Sequence, residues 1–355
     1  MRARTTRLVR LNAAGTASGA GGGSELKDMT PDGPLITFSS HAIDFTPHAD
    51  GNGTGTDFYV RDTVNNVTRL VTVNAGGTAS GNGLSFIGSI SGDGRYVVFI
   101  SKSSDLVPND TATRDVFLRD LQAGTTIRLS NNSAGTAGGN NDSNGGLIDR
   151  GGRVVVFETR ATDLSTLPDT NNLADIFIYD VQAGSKRLIT VNAAGTATDN
   201  GLGLGSFDHG FQYNISNDAR FVAFMSQSGN LVTNDTNGSG DDIFHYEVAT
   251  QTKSLVSVNP AGTSGTTGGS FNPSLSGDGR FVAFDSLAND LVSVADETNG
   301  KTSDVFVRDL VAGQTSLASV NRAGTRTGNG FSFQPFKREQ SEPLPASSAI
   351  RSSCQ

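Results

Sequence analysis

Residues 91–99 read SGDGRYVVF, and residues 276–284 repeat them as SGDGRFVAF. Asp-Gly is a hairpin-turn signal, because both residue types tolerate the positive φ of a tight reversal, and the apolar run behind it reads as a strand. Looser copies of the turn are SNDAR at Ser216, TPDGP at Thr30 and DRGGR at Asp149. The strands that follow, YVVFI from Tyr96, RVVVF from Arg153, FVAFM from Phe221 and FVAF from Phe281, are apolar on both faces. A strand with that pattern is covered on both sides by neighbouring sheets.

Working outward from this core, a phenylalanine returns at Phe38, Phe99, Phe157, Phe224 and Phe284, at intervals of 61, 58, 67 and 60 residues. A second series, Phe58, Phe117, Phe177, Phe244 and Phe306, lies in DFYVRD, DVFLRD, DIFIYD, DIFHYE and DVFVRD. A third mark, Asn-x-x-Gly-Thr, begins at Asn12, Asn74, Asn132, Asn192, Asn259 and Asn321. A second short turn, as in LQAGTT from Leu121, leads to a last strand such as RLVTV from Arg69 or SLVSV from Ser254. Its alternation, Val256 and Val258 on one face and Leu255 and Ser257 on the other, predicts a half-exposed edge. The first strand has the weakest signal, FIGSIS from Phe86 and FNPSLS from Phe271. Two tight turns in each period of about sixty residues describe an up-and-down meander, the topology of a propeller blade. A sandwich needs a longer repeat and a parallel β-helix a much shorter one.

The predicted architecture is therefore all-β, a β-propeller of five four-stranded blades spanning 1–335, with repeats at about 29–83, 84–145, 146–205, 206–265 and 266–330. Thr6 to Leu11 reads as a partial outer strand and Phe331 to Pro335 as the start of another inner one, so a fragment of a six- or seven-bladed propeller is the alternative. The start, whose RLVRLNAAGT matches the end of a repeat, reads as an interior piece of a longer gene, and the polar tail 336–355 as disordered. The 44 glycines suit short strands and many turns. A net charge of −8 offers no basic stripe and argues against nucleic acid. The single cysteine, Cys354, rules out an internal disulfide framework and a cysteine zinc site. Neither a membrane-spanning stretch nor the apolar segment of a secretory signal is present, and a monomer without membrane insertion is expected.

The S-x-D-G-R-[YF]-V-x-F core, followed by D-[VI]-F-[VLI]-x-D and a short Ala-Gly turn, resembles the TolB-like or WD40-like β-propeller repeats of bacterial envelope and secreted proteins, over roughly Met29 to Pro335. The resemblance implies a periplasmic or secreted chain and a docking platform for protein or glycan. It also embraces propellers attached to hydrolases and a few that are enzymes. This chain departs from the shorter members in an insertion between the second and third strands, such as SSDLVPNDTATRD from Ser103.

That insertion holds the candidate site residues. Asp50 and Asp57, Asp110 and Asp115, Asp169, Asn171 and Asp175, Asp235, Asn237 and Asp242, and Asp296, Asn299 and Asp304 place paired oxygen ligands in every repeat. Oxygen-rich loops bent by glycine suit calcium, a hard cation that takes six to eight oxygens. Against this stands the plainer reading, in which Asp and Asn make Asx turns and the terminal Asp caps strand three. Nucleophilic catalysis finds no Gly-x-Ser-x-Gly elbow, and of the four histidines His245 reads as a packing residue, His41 and His48 as loop residues and His209 as a rim residue. A carboxylate pair for glycoside cleavage is the rival chemistry. Yet the acids recur in turns and strand ends of every blade, and an active site breaks such symmetry. The sequence thus favours a non-catalytic scaffold, not an enzyme; a propeller-fold carbohydrate-active hydrolase or lyase is the alternative.

Overall fold

A computed structural model describes residues 8–201, 212–264, 268–293, 302–328, 330–333 and 335. Among these residues there are twenty strands. The first sheet holds β1 (Ser24–Met29), β2 (Leu35–Ser40), β3 (Asp57–Asp62) and β4 (Val67–Leu70), and the second β5 (Ser85–Ile90), β6 (Tyr96–Ser101), β7 (Asp115–Asp120) and β8 (Thr125–Arg128). The third holds β9 (Ser143–Ile148), β10 (Val154–Thr159), β11 (Asp175–Asp180) and β12 (Ser185–Leu188). The fourth comprises β13 (Tyr213–Ile215), β14 (Phe221–Ser226), β15 (Asp242–Glu247) and β16 (Thr252–Leu255), and the fifth β17 (Ser270–Leu275), β18 (Phe281–Ser286), β19 (Asp304–Asp309) and β20 (Gln314–Leu317). Each is a four-stranded meander in chain order, and the five sheets match the blades of a five-bladed β-propeller. The chain divides into two compact units after Ile148.

Local chemistry explains the meander. In the SGDGR turn, Ser91 Oγ donates to Asp93 Oδ1 (2.5 Å) and accepts the Tyr96 amide, while Asp93 Oδ1 also accepts the Arg95 amide. Gly94 closes the turn at φ 72°. The same set of bonds recurs at Ser276, and at Ser216 a non-glycine residue, Ala219, takes the positive φ of 58°. The Asn-x-x-Gly-Thr mark is a second folded unit. In it Asn74 Oδ1 accepts the Thr78 amide and the Gly77 amide bonds to the Asn74 carbonyl.

This unit also clasps the next blade. The Ala75 amide donates to the Asp105 carbonyl (2.7 Å) and the Asn82 amide to the Asp105 carboxylate (2.9 Å). Asp44 receives the equivalent bonds from Ala13 and Ala20, and Asn230 those from Ala193 and Asn200.

Each blade is centred on an aromatic pair across the second and third strands: Phe99 on Phe117 (5.5 Å), Phe157 on Phe177, Phe224 on Phe244 and Phe284 on Phe306. In the first blade the partner of Phe38 is Tyr59, not Phe58, because Tyr59 holds the register position of Phe117. Phe58 instead packs between sheets with Val97 and Phe99. As expected of strands covered on both faces, the second strands are sandwiched: Ala223, Met225, Val282 and Phe284 share one apolar core.

Three expectations about strands need correction. The last strands end at Leu70, Arg128, Leu188, Leu255 and Leu317, earlier than the alternation implied, and the residues beyond turn inward: Val256, Ser257 and Val258 are all buried. Hydrogen bonding explains the inward turn, as described below. Of the partial strand Thr6 to Leu11, residues 8–11 match Leu70 and the three residues after it and carry only an isolated bridge from Leu11 to Ser18, and residues 6–7 lie outside the described ones. Among the described residues of Phe331 to Pro335 no strand forms, although the Ser332 amide bonds the Ser303 carbonyl (2.8 Å) as Ser270 does that of Asp241. β1 and β9 begin at Ser24 and Ser143, ahead of the repeat bounds at 29 and 146. The tail 336–355 lies outside the described residues, as does His209.

Candidate functional site

The second member of each acid pair opens the third strand, at Asp57, Asp115, Asp175, Asp242 and Asp304, and all five are buried. A buried carboxylate requires donors. Each takes one from a hydroxyl fifteen residues on, where the last strand turns inward. Thr72 donates to Asp57 (3.0 Å), Ser130 to Asp115 (2.5 Å), Thr190 to Asp175 (2.7 Å), Ser257 to Asp242 (2.5 Å) and Ser319 to Asp304 (2.6 Å). The same hydroxyl accepts the amide of the residue after the aspartate, as from Ile243 to Ser257 at 3.1 Å. The sequence reading missed these hydroxyls by placing Ser257 on an exposed face. Their signal was the constant offset of fifteen.

Burial raises these acids. Asp57 and Asp115 are pushed up to about 6, Asp242 to about 7 and Asp175 to about 8, desolvation outweighing the hydroxyl bonds, with a neighbouring carboxylate adding to the rise in each. Asp199, buried against Ser226 and Asn171 in the third repeat's loops, rises to about 7 for the same first cause.

The first members lie close by. Asp50 binds the Asn52 and Gly53 amides, and Asn52 Nδ2 reaches Asp57 Oδ1 at 3.3 Å. Asp169 accepts the Asn171 and Asn172 amides, and Asn171 Nδ2 donates to Asp199. Asp110 and Asp235 are raised by burial as well. The pairs thus converge in the first four blades; in the fifth, Asp296 and Asn299 lie outside the described residues. Asx turns are present, as the plainer reading held, but they use only some of the oxygens. Asp110 Oδ2, Asp169 Oδ2, Asp235 Oδ1, Asp242 Oδ2 and Asp304 Oδ2 are buried with no hydrogen-bond partner among the described residues. Among the described residues no group of three or more His, Cys, Asp or Glu side chains gathers there in metal-binding geometry. Two carboxylates with amides and hydroxyls are what each pair offers.

His245 is buried, lies 4.8 Å from the Phe221 ring and is lowered to about 4 by desolvation, so it is neutral at physiological pH, a packing residue. His41 Nδ1 bonds the Thr54 carbonyl and His48 Nδ1 the Thr46 hydroxyl, both in loops. Two turn arginines pair with acids of their own blades, Arg95 with Asp120 (2.8 Å) and Arg280 with Asp309 (2.6 Å), whereas Arg153 donates to the Asp218 carbonyl of the next blade. An open groove of about 580 Å³ runs beside the last strand of the fifth blade, lined by Asn259, Leu291, Arg308, Leu317 and Arg326. No helix among the described residues is long and apolar enough to cross a membrane.

No family model and no curated protein matches the chain. Similar solved structures include two TolB proteins, as the repeat core implied. TolB from Acinetobacter baumannii is 15% identical over 89% of this chain and 57% of its own length, with a TM-score of 0.42. A putative TolB from Agrobacterium tumefaciens is 15% identical over 83% of this chain and 80% of that one, at 0.41. The acylaminoacyl peptidase of Pyrococcus horikoshii is 7% identical over 83% of this chain and 39% of that one, also at 0.41. The chain spans little more than half of the first of these and less than half of the peptidase. The likeness is one of fold.

Proposed function

We propose that the chain is a non-catalytic repeat scaffold that binds protein or glycan in the periplasm or outside the cell. One observation carries this reading: the buried carboxylates recur in register, blade after blade, and each is held by its own blade's hydroxyl. Acid–base chemistry needs unlike environments for two groups that face one substrate. Repetition supplies like environments far apart in sequence. The groove beside the last strand of the fifth blade has the volume of a small-ligand site and mixes Arg308 and Asn259 with Leu291 and Leu317, a surface suited to a sugar or peptide segment.

The test is a glycan and peptide array probed with the purified chain, followed by a reducing-end assay on every glycan bound. Saturable binding with no new reducing ends or unsaturated products supports the scaffold. Shortening of a bound glycan would overturn it in favour of a carbohydrate-active enzyme.

A further inference from the structure

The last residue of the last strand is Leu70, Leu188, Leu255 and Leu317 in four blades and Arg128 in the second. The register is the same, since Arg128 pairs with Phe117 as Leu255 does with Phe244. Arg128 is buried to 4% exposure, and its Nη1 lies 2.7 Å from Asp110 Oδ1 and 4.0 Å from Asp115 Oδ2, both carboxylates being fully buried. Its Nη2 donates to the Asn109 carbonyl (3.2 Å) and its Nε to Asn131 Oδ1 (2.8 Å). Asn131 itself stands where the other blades carry Val73, Val191, Val258 and Val320. The second blade has therefore placed a cation, and a residue to hold it, between its two acids. The surroundings of that cation are all oxygen.

The fourth blade has the acids without the arginine. LVTND aligns Asp235 with Asp110 of LVPND, and Asp242 with Asp115. Ser257 holds Asp242 Oδ1 as Ser130 holds Asp115 Oδ1. The other oxygen, Oδ2, is the one that in the second blade faces Arg128. In the fourth blade it is buried, in a residue only 1% exposed, with no hydrogen-bond partner among the described residues, and Asp235 Oδ1 is in the same state. Two facing carboxylates in a low dielectric repel one another and demand a countercharge. Leu255 provides none. The loop here is two residues longer, seven positions from Asp235 to Asp242 against five from Asp110 to Asp115, and it brings in the Asn237 amide.

We propose that Asp235 and Asp242, with the Asn237 side chain beside them, bind a divalent cation of the calcium class in the place that the Arg128 guanidinium fills in the second blade. An all-oxygen set without His or Cys selects a hard cation over zinc or copper. With two carboxylates, affinity belongs at the weak end of calcium sites, on the order of 10⁻⁴ to 10⁻³ M. Such a site fills at extracellular rather than cytosolic calcium.

The experiment is calcium titration calorimetry on the full chain after chelation, comparing wild type with Asp235→Asn, Leu255→Arg and, as control, Asp110→Asn. The expected result is one calcium fewer per chain in Asp235→Asn and in Leu255→Arg, with the wild-type count retained in Asp110→Asn. Should Leu255→Arg fail to fold, Asp235→Asn alone decides. Absence of saturable calcium binding in wild type, or an unchanged count in Asp235→Asn, overturns the proposal.

Discussion

The second and fourth blades are built on one plan and differ in how they balance its buried acids. Both stack a phenylalanine pair, both open the third strand on a buried aspartate, and both bind that aspartate with a serine fifteen residues on. In the second the remaining negative charge is met by Arg128; in the fourth Leu255, which has no charge, holds the same register position. Burial lifts both carboxylates, Asp115 to about 6 and Asp242 to about 7; Arg128 pulls Asp115 down, and Asp110 and Asp235 push Asp115 and Asp242 up. Asp57 also stops near 6 without an arginine, held by Thr72, Ser80 and Asn52. Hydrogen-bond donors can thus do part of what a cation does. The comparison teaches that a repeat can keep its scaffold while exchanging an internal countercharge for an external one.

The shared scaffold can be tested first, where the largest effect is expected. Phe99→Ala and Phe224→Ala should each cost about 3 to 5 kcal/mol in chemical denaturation, because both rings are fully buried. A loss under about 1 kcal/mol in either would deny that its strand is interior. Next comes the difference itself. Arg128→Leu leaves Asp110 and Asp115 without a countercharge and should cost about 3 kcal/mol in the presence of chelator. Partial recovery on adding calcium would sharpen the comparison, since the second blade would then have been converted into the fourth.

Smaller effects follow. Ser257→Ala should cost about 1 to 3 kcal/mol, because it strips the donor from a buried carboxylate; an unchanged midpoint would show that the hydroxyl is dispensable. Stability should also depend on pH. Asp242 and Asp175 are raised above their unfolded values, so the native chain keeps protons that the unfolded chain releases. Stability contributed by these groups is greatest below about pH 4 and falls as pH rises toward 7 to 8, at up to about 1.4 kcal/mol per pH unit for each. Calcium, which favours the ionised form, should flatten the fall. A denaturation midpoint that rises from pH 5 to pH 8 in chelator would contradict this. The smallest change is expected from Arg95→Ala, whose pair with Asp120 is exposed and screened by solvent, so the denaturation midpoint should hardly move.

Most of the fold was legible because its instructions are local. SGDGR and Asn-x-x-Gly-Thr fold by bonds that span at most five residues, and Phe99 meets Phe117 across adjacent strands of one meander. Misreadings arose where local patterns hid distant partners. Ser257 looked like the exposed member of an alternating strand, and only Asp242, fifteen residues back, explains its burial. Phe58 fell into the phenylalanine series because a tyrosine, Tyr59, had taken the true position. The acid pairs were visible as a composition, but their environments were not: Arg128 reads as one more charged residue until Asp110 is seen beside it.

The clasp between successive blades at Asn12, Asn74 and Asn192 has a genetic reading. Asn82 at the end of one period holds Asp105 of the next, as Asn200 holds Asn230. Where the clasp forms, one period supplies a donor half at its finish and the next an acceptor half in its loop; at Asn259 the donor position is Pro260, which has no amide to give. A duplication that copies one whole period, wherever it starts, hands the new copy a fitting half on either side. One that copies a fraction leaves backbone amides without acceptors, a cost that selection can read in folding yield. Drift from 58 to 67 residues between successive phenylalanines is then the expected history: lengths change in the loops while the halves of the clasp stay matched.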